Sequence, residues 1–96
     1  MAKYLLLWEV DTTHTPTDKE ERKKMHLGME SIVTQQVKAG QITQWGAFVG
    51  EAKGYCIVDG TAEDVQTLTG GWIPFVRFQT NEVLSIEQVM KATEAI

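Results

Sequence analysis

The chain has little of what usually announces a chemistry. A single cysteine, Cys56, in 96 residues leaves no internal disulfide and fits a reducing compartment. Two histidines, His14 and His26, have no clustered third ligand, so no metal motif exists. The eight glycines are scattered and none builds a phosphate-cradling loop, which argues against nucleotide binding; no cofactor is implied. Basic residues are outnumbered 9 to 13 by acidic ones, for a net charge of −4. Four of the nine (Lys19, Arg22, Lys23, Lys24) lie in one run among acids, which reads as a solvated helix face. That balance is wrong for gripping a phosphate backbone, so no nucleic-acid partner is expected. The apolar run near the N-terminus, Tyr4 to Trp8, is five residues, too short for a membrane span or a signal peptide. The expectation is a cytoplasmic protein with no membrane partner. No repeat, low-complexity tract or linker interrupts residues 1–96, which read as a single domain.

What the chain does have is periodicity. Residues 3–11, KYLLLWEVD, carry apolar side chains on both alternating faces, Tyr4, Leu6, Trp8 and Val10 against Leu5, Leu7 and Glu9. A strand apolar on both faces belongs in the middle of a covered sheet. The polar stretch DTTHTPT then reads as a loop, with Thr17 and Glu20, or Thr15 before Pro16, as helix-start signals. A long helix is expected over residues 18–39, with the apolar stripe Met25, Met29, Ile32, Val33 and Val37. Asp18–Arg22 and Glu20–Lys24 are spaced as favourable pairs on it, and Gly40 is placed to stop it. Strands are expected over 41–49 and 54–59, joined by a GEAKG turn, with Gly46 marking a bulge or a close approach. Thr61 with Asp64 opens a short helix that ends at Gly70-Gly71, and a strand follows over 75–80. Ser85 with Gln88 opens a C-terminal helix whose stripe Ile86, Val89, Met90, Thr93 and Ile96 should face inward.

The order β-α-β-β-α-β plus a tail helix is the ferredoxin-like arrangement of the α+β class. Right-handed crossovers put both main helices on one face of a four-stranded antiparallel sheet, with strand one inside it. The other face would then be bare, although the strands carry apolar residues on both faces, Leu5 and Leu7 against Leu6 and Trp8, Phe75 against Val76 and Phe78. A bare apolar face calls for cover, and a second copy packed sheet on sheet is the expected one. The competing cover is the C-terminal helix folded back over the same face.

Gly54-Tyr55-Cys56-Ile57-Val58-Asp59, the helix from Thr61 to Leu68, Trp72-Ile73-Pro74-Phe75 and the alternating last strand together resemble the second half of muconolactone isomerase. Trp8 and Trp45-Gly46 are likewise similar to positions in small stand-alone members of the dimeric α/β-barrel superfamily. The resemblance implies the ferredoxin-like fold, a homodimer through the sheet face, and a small-molecule pocket between sheet and helices or between the two sheets.

Several side chains carry the chemistry such a pocket would need. Glu9 is a carboxylate in an apolar strand, and Arg77 lies on the corresponding face of the last strand, so the two can meet as cross-strand partners. A partly buried Glu9 could shuttle a proton while Arg77 grips a substrate carboxylate; the plainer reading is a structural ion pair. His14, in the loop after strand one, and His26, beside the helix stripe, are candidate acids, or simply solvated histidines. Trp8, Trp45 and Tyr55 could wall a pocket for a planar ligand or fill core and interface, whereas Trp72 reads as core. Cys56 reads as a buried small hydrophobe rather than a nucleophile. Two classes of function follow: a proton-transfer isomerase on a small acid or lactone, and a non-catalytic ligand-binding or dimerisation module.

Overall fold

The computed structural model describes residues 2–96. Its elements are β1 (Ala2–Val10), α1 (Lys19–Lys38), β2 (Gln44–Ala47), β3 (Lys53–Gly60), α2 (Ala62–Gly70), β4 (Val76–Val83) and α3 (Ile86–Glu94), with a 3-10 turn at Thr12–His14 after β1. The four strands form one sheet in the order β2-β3-β1-β4, every neighbouring pair antiparallel. This is an α+β domain whose order is compatible with a ferredoxin-like fold, and the doubly apolar β1 is indeed an interior strand. No helix among the described residues is long and apolar enough to cross a membrane.

Alternation along β1 decides what the core is. Leu6 is 0% exposed and Val10 lies with it on the helix-covered face, joined by Cys56 and Val58 from β3. Ile42 and Val65 complete the cluster, and Tyr4, Trp45, Leu68 and Phe78 pack around it. Val65 comes from α2, which Thr61 and Asp64 start with a complete capping box. α1 behaves differently. It buries no residue, and its backbone lies against no strand over any length. Met25, His26, Met29, Val33 and Gln36 form its half-buried line, while Ile32 and Val37, both expected in the stripe, are exposed. The stripe is rotated because α1 leans over a cavity rather than onto a packed sheet.

Local signals are corrected in four places. The cap of α1 is Asp18, whose carboxylate accepts from the Glu21 N–H at 3.0 Å, rather than Thr17 or Thr15. Arg22 therefore donates to the Thr17 carbonyl at 3.0 Å instead of pairing with Asp18. β2 is only Gln44–Ala47, because Gln41 and Ile42 are spent closing α1, both N–H groups donating to the Gln36 carbonyl, and Thr43 is the first residue to bond to β3, through the Ile57 carbonyl. β4 runs on to Val83, because β1 supplies partners down to Lys3.

The fourth correction is α3. Its stripe Ile86, Val89, Met90 and Ile96 is exposed, the helix buries nothing, and it makes no substantial contact with another element. It neither faces inward nor folds over the open sheet face. The radius of gyration, 15.7 Å, exceeds the about 12.5 Å of a compact chain of this length. The molecule is elongated, 56 Å along its longest axis against 25 and 21 Å along the others.

At Gly46, opposite Tyr55 in the hairpin register, a Cβ would collide with the Tyr55 ring. The absent side chain is the close approach that a mid-strand glycine implies. Gly50 turns the hairpin at φ 80° and Gly40 ends α1 at φ 78°, both in the left-handed region that glycine favours.

Candidate functional site

The two faces of the sheet separate the candidate residues. On the helix-covered face, Trp8 of β1 and Trp45 of β2 stack with ring centroids 5.2 Å apart and 11° from parallel. Gly54 makes this possible, since a Cβ there would press on the Trp8 ring and on the Gly46 carbonyl. The Trp8 indole N–H donates to the Tyr55 carbonyl at 3.2 Å, which fixes the ring flat against β3. The stacked pair walls a cavity of about 440 Å³ between α1 and the sheet. Met29 and Val33 hang over it from α1, and Leu68, Trp72, Val76 and Phe78 close its sides. Its volume lies in the range that takes a small organic molecule.

Polar groups in this cavity are few. His26 and Glu30 lie one helical turn apart on α1, both at its lining, and Glu51 comes from the β2–β3 turn. Gln36 also lines it, and its buried Oε1 is reached by no donor among the described residues. Such an atom is costly to leave unpaired, so it is an acceptor waiting for a donor. Cys56 sits on the floor, 2% exposed, and burial pushes its thiol up to about 11. It is a neutral small hydrophobe at physiological pH.

The open face holds the charged candidates. Glu9 is opposite Arg77 in the β1–β4 register and opposite Lys53 in the β1–β3 register. The Arg77 Nη2 to Glu9 Oε1 distance is 3.4 Å, with side chains 68% and 42% exposed. An ion pair that open contributes little to stability, at most about 1 kcal/mol. Tyr55 lies on this face too, its hydroxyl accepting from the Gln44 side-chain amide at 3.0 Å and its ring beside Phe48. His14 is exposed in the turn after β1, 3.5 Å from Asp11 and edge-on to Phe75. The Thr13 hydroxyl and backbone N–H hold the Asp11 carboxyl below its ordinary value, with the charges of His14 and Arg77 adding to them.

The structure thus brings Trp8, Trp45 and His26 together and places Glu9, Arg77, Tyr55 and His14 elsewhere. Glu30 and Gln36 are the lining residues that sequence reading passed over. Their signal was spacing: 26, 29, 30, 33 and 36 share one helix face, and His26, Glu30 and Gln36 alternating there with Met29 and Val33 mark a lined space rather than a packed core. No group of three metal-ligating side chains occurs among the described residues. Compared with models of known protein families and with curated proteins, the chain matches none.

Proposed function

We propose that the chain is a small-molecule-binding domain of the ferredoxin-like, dimeric α/β-barrel kind, cytoplasmic, holding its ligand in the cavity between α1 and the sheet. The observation that carries this reading is the Trp8–Trp45 stack, held in place by a hydrogen bond and a glycine, which borders the core on one side and lines open space on the other. Large aromatics that serve only a core are enclosed by it. A proton-transfer step inside this apolar cavity would fall to His26 with Glu30 one turn on. Glu9 and Arg77 serve the other face.

That face supports a homodimer. Leu5, Leu7, Tyr55 and Ile57 form its apolar middle, with Phe48 beside them and Leu7 36% exposed. Lys3 opposes Asp59 at one end, and Glu9 lies between Lys53 and Arg77 at the other. Both ends carry both signs, so a second copy meets opposite charges whichever end it presents.

Native mass spectrometry of the purified protein tests both parts. The expected result is a dimer bearing an added mass lost on denaturation. Val33→Trp, which fills the cavity, should remove that mass and leave the dimer. Leu7→Asp should give monomer. A monomeric wild-type protein at micromolar concentration would sink the sheet-on-sheet assembly.

A further inference from the structure

The polar groups of the cavity narrow its ligand. Resting on the binding reading above, we propose that it selects planar aromatic molecules carrying a positive charge or a hydrogen-bond donor, and discriminates against carboxylates.

Charge is the first ground. The lining residues include two carboxylates, Glu30 and Glu51, one imidazole, His26, and no lysine or arginine. An anion entering would sit near two like charges, with no guanidinium or ammonium at the lining to pair with it. A cation meets the reverse situation. Arg77, the group suited to a fork-like grip on a carboxylate, is on the far side of the sheet, paired with Glu9.

The second ground is the aromatic wall. Trp8 spends its N–H on the Tyr55 carbonyl, so it offers a ligand its ring and not its donor. Its neighbour Trp45 lies parallel to it. Indole faces attract planar rings by stacking and cations by their quadrupole, most strongly where water is excluded. The third ground is Gln36, a lining residue whose buried Oε1 is reached by no donor among the described residues and would be satisfied by a ligand N–H or O–H. The three observations are independent and point to one ligand class.

Three naphthalenes of nearly equal size test it: 2-(aminomethyl)naphthalene, a cation at pH 7, the neutral 2-naphthylmethanol, and the anion 2-naphthoate. Binding is read by calorimetry on the full chain. The amine is expected to bind about tenfold or more tighter than the carboxylate, with the alcohol between them. Glu30→Gln, a change at an exposed position, should weaken the amine about threefold or more and leave the alcohol unaltered. Gln36→Leu should weaken the amine and the alcohol and not the carboxylate. Equal or tighter binding of the carboxylate overturns the selectivity while leaving the cavity as a binding site. Failure of all three to bind, or binding that survives Val33→Trp, overturns the cavity itself.

Discussion

Helices α2 and α3 are matched in their local chemistry. Each is nine residues long, and each opens with a complete capping box, Thr61 with Asp64 and Ser85 with Gln88. α3 has the cleaner division into apolar and polar sides. Yet α2 sinks Val65 into the core beside Leu6 and Cys56, and α3 buries nothing. The caps decide where each helix begins, and they do so equally well. What they cannot supply is a surface to lie on. A nine-residue helix in water is marginal on its own, so α3 depends on tertiary or quaternary contact for most of its stability. In the proposed homodimer, a second copy is what would supply that contact.

The sharpest way to break this contrast is to place the same charge in each helix. Val65→Asp puts an unpaired carboxylate into the core and should cost about 4 kcal/mol or more of unfolding free energy, measured by urea denaturation. Val89→Asp should leave the unfolding of the isolated subunit within about 0.5 kcal/mol and instead weaken its self-association, read by sedimentation. If Val89→Asp unfolds a dilute monomer, α3 is packed within its own chain and the contrast fails.

Alkaline titration distinguishes the two regions more gently. The Cys56 thiol is raised by burial to about 11 from 9.0, so the folded state holds its proton longer than the unfolded chain does. Stability from this group is complete below pH 9 and is lost as pH rises towards 11, by about 2 kcal/mol. Cys56→Ala should flatten that decline. Hydrogen exchange in α3, corrected for its intrinsic pH dependence, should not follow it. The smallest effect separates the caps themselves. Thr61→Ala should cost about 1 kcal/mol of global stability, since α2 unfolds with the core. Ser85→Ala should be silent globally and appear only as faster exchange at the first amides of α3.

Alternation and punctuation made most of the fold legible. The doubly apolar β1, the Gly40 stop, both capping boxes and the Gly46 approach could all be read because each is a local signal with a local cause. What escaped was set by contacts distant in sequence. β2 is short because α1 needs Gln41 and Ile42 to close, and the α1 stripe is rotated because the cavity sits where a packed face was expected. The site was half legible. Trp8, Trp45 and His26 stood out as unusual residues in patterned segments. Their separation from Glu9, Arg77 and Tyr55 depends on which sheet face each presents. Parity along a strand gives the relative face, and only the position of the helices tells which one has the cavity.

The Gly46–Tyr55 contact has a consequence for how the β2–β3 hairpin forms. Strand pairing with a period of two tolerates a shift by one residue only at the cost of turning every side chain over. Here a shift in either direction would set Trp45 or Ala47 opposite Tyr55 and carry Trp45 away from Trp8. The ring fits over the one residue that has no side chain, so the hairpin has a single reading frame. β2 lies at the edge of the sheet and has only four residues, too few to hold a frame by hydrogen bonds alone. An edge strand that cannot slip is also a poor template for a passing chain, and a glycine with an aromatic lid confers both properties at once.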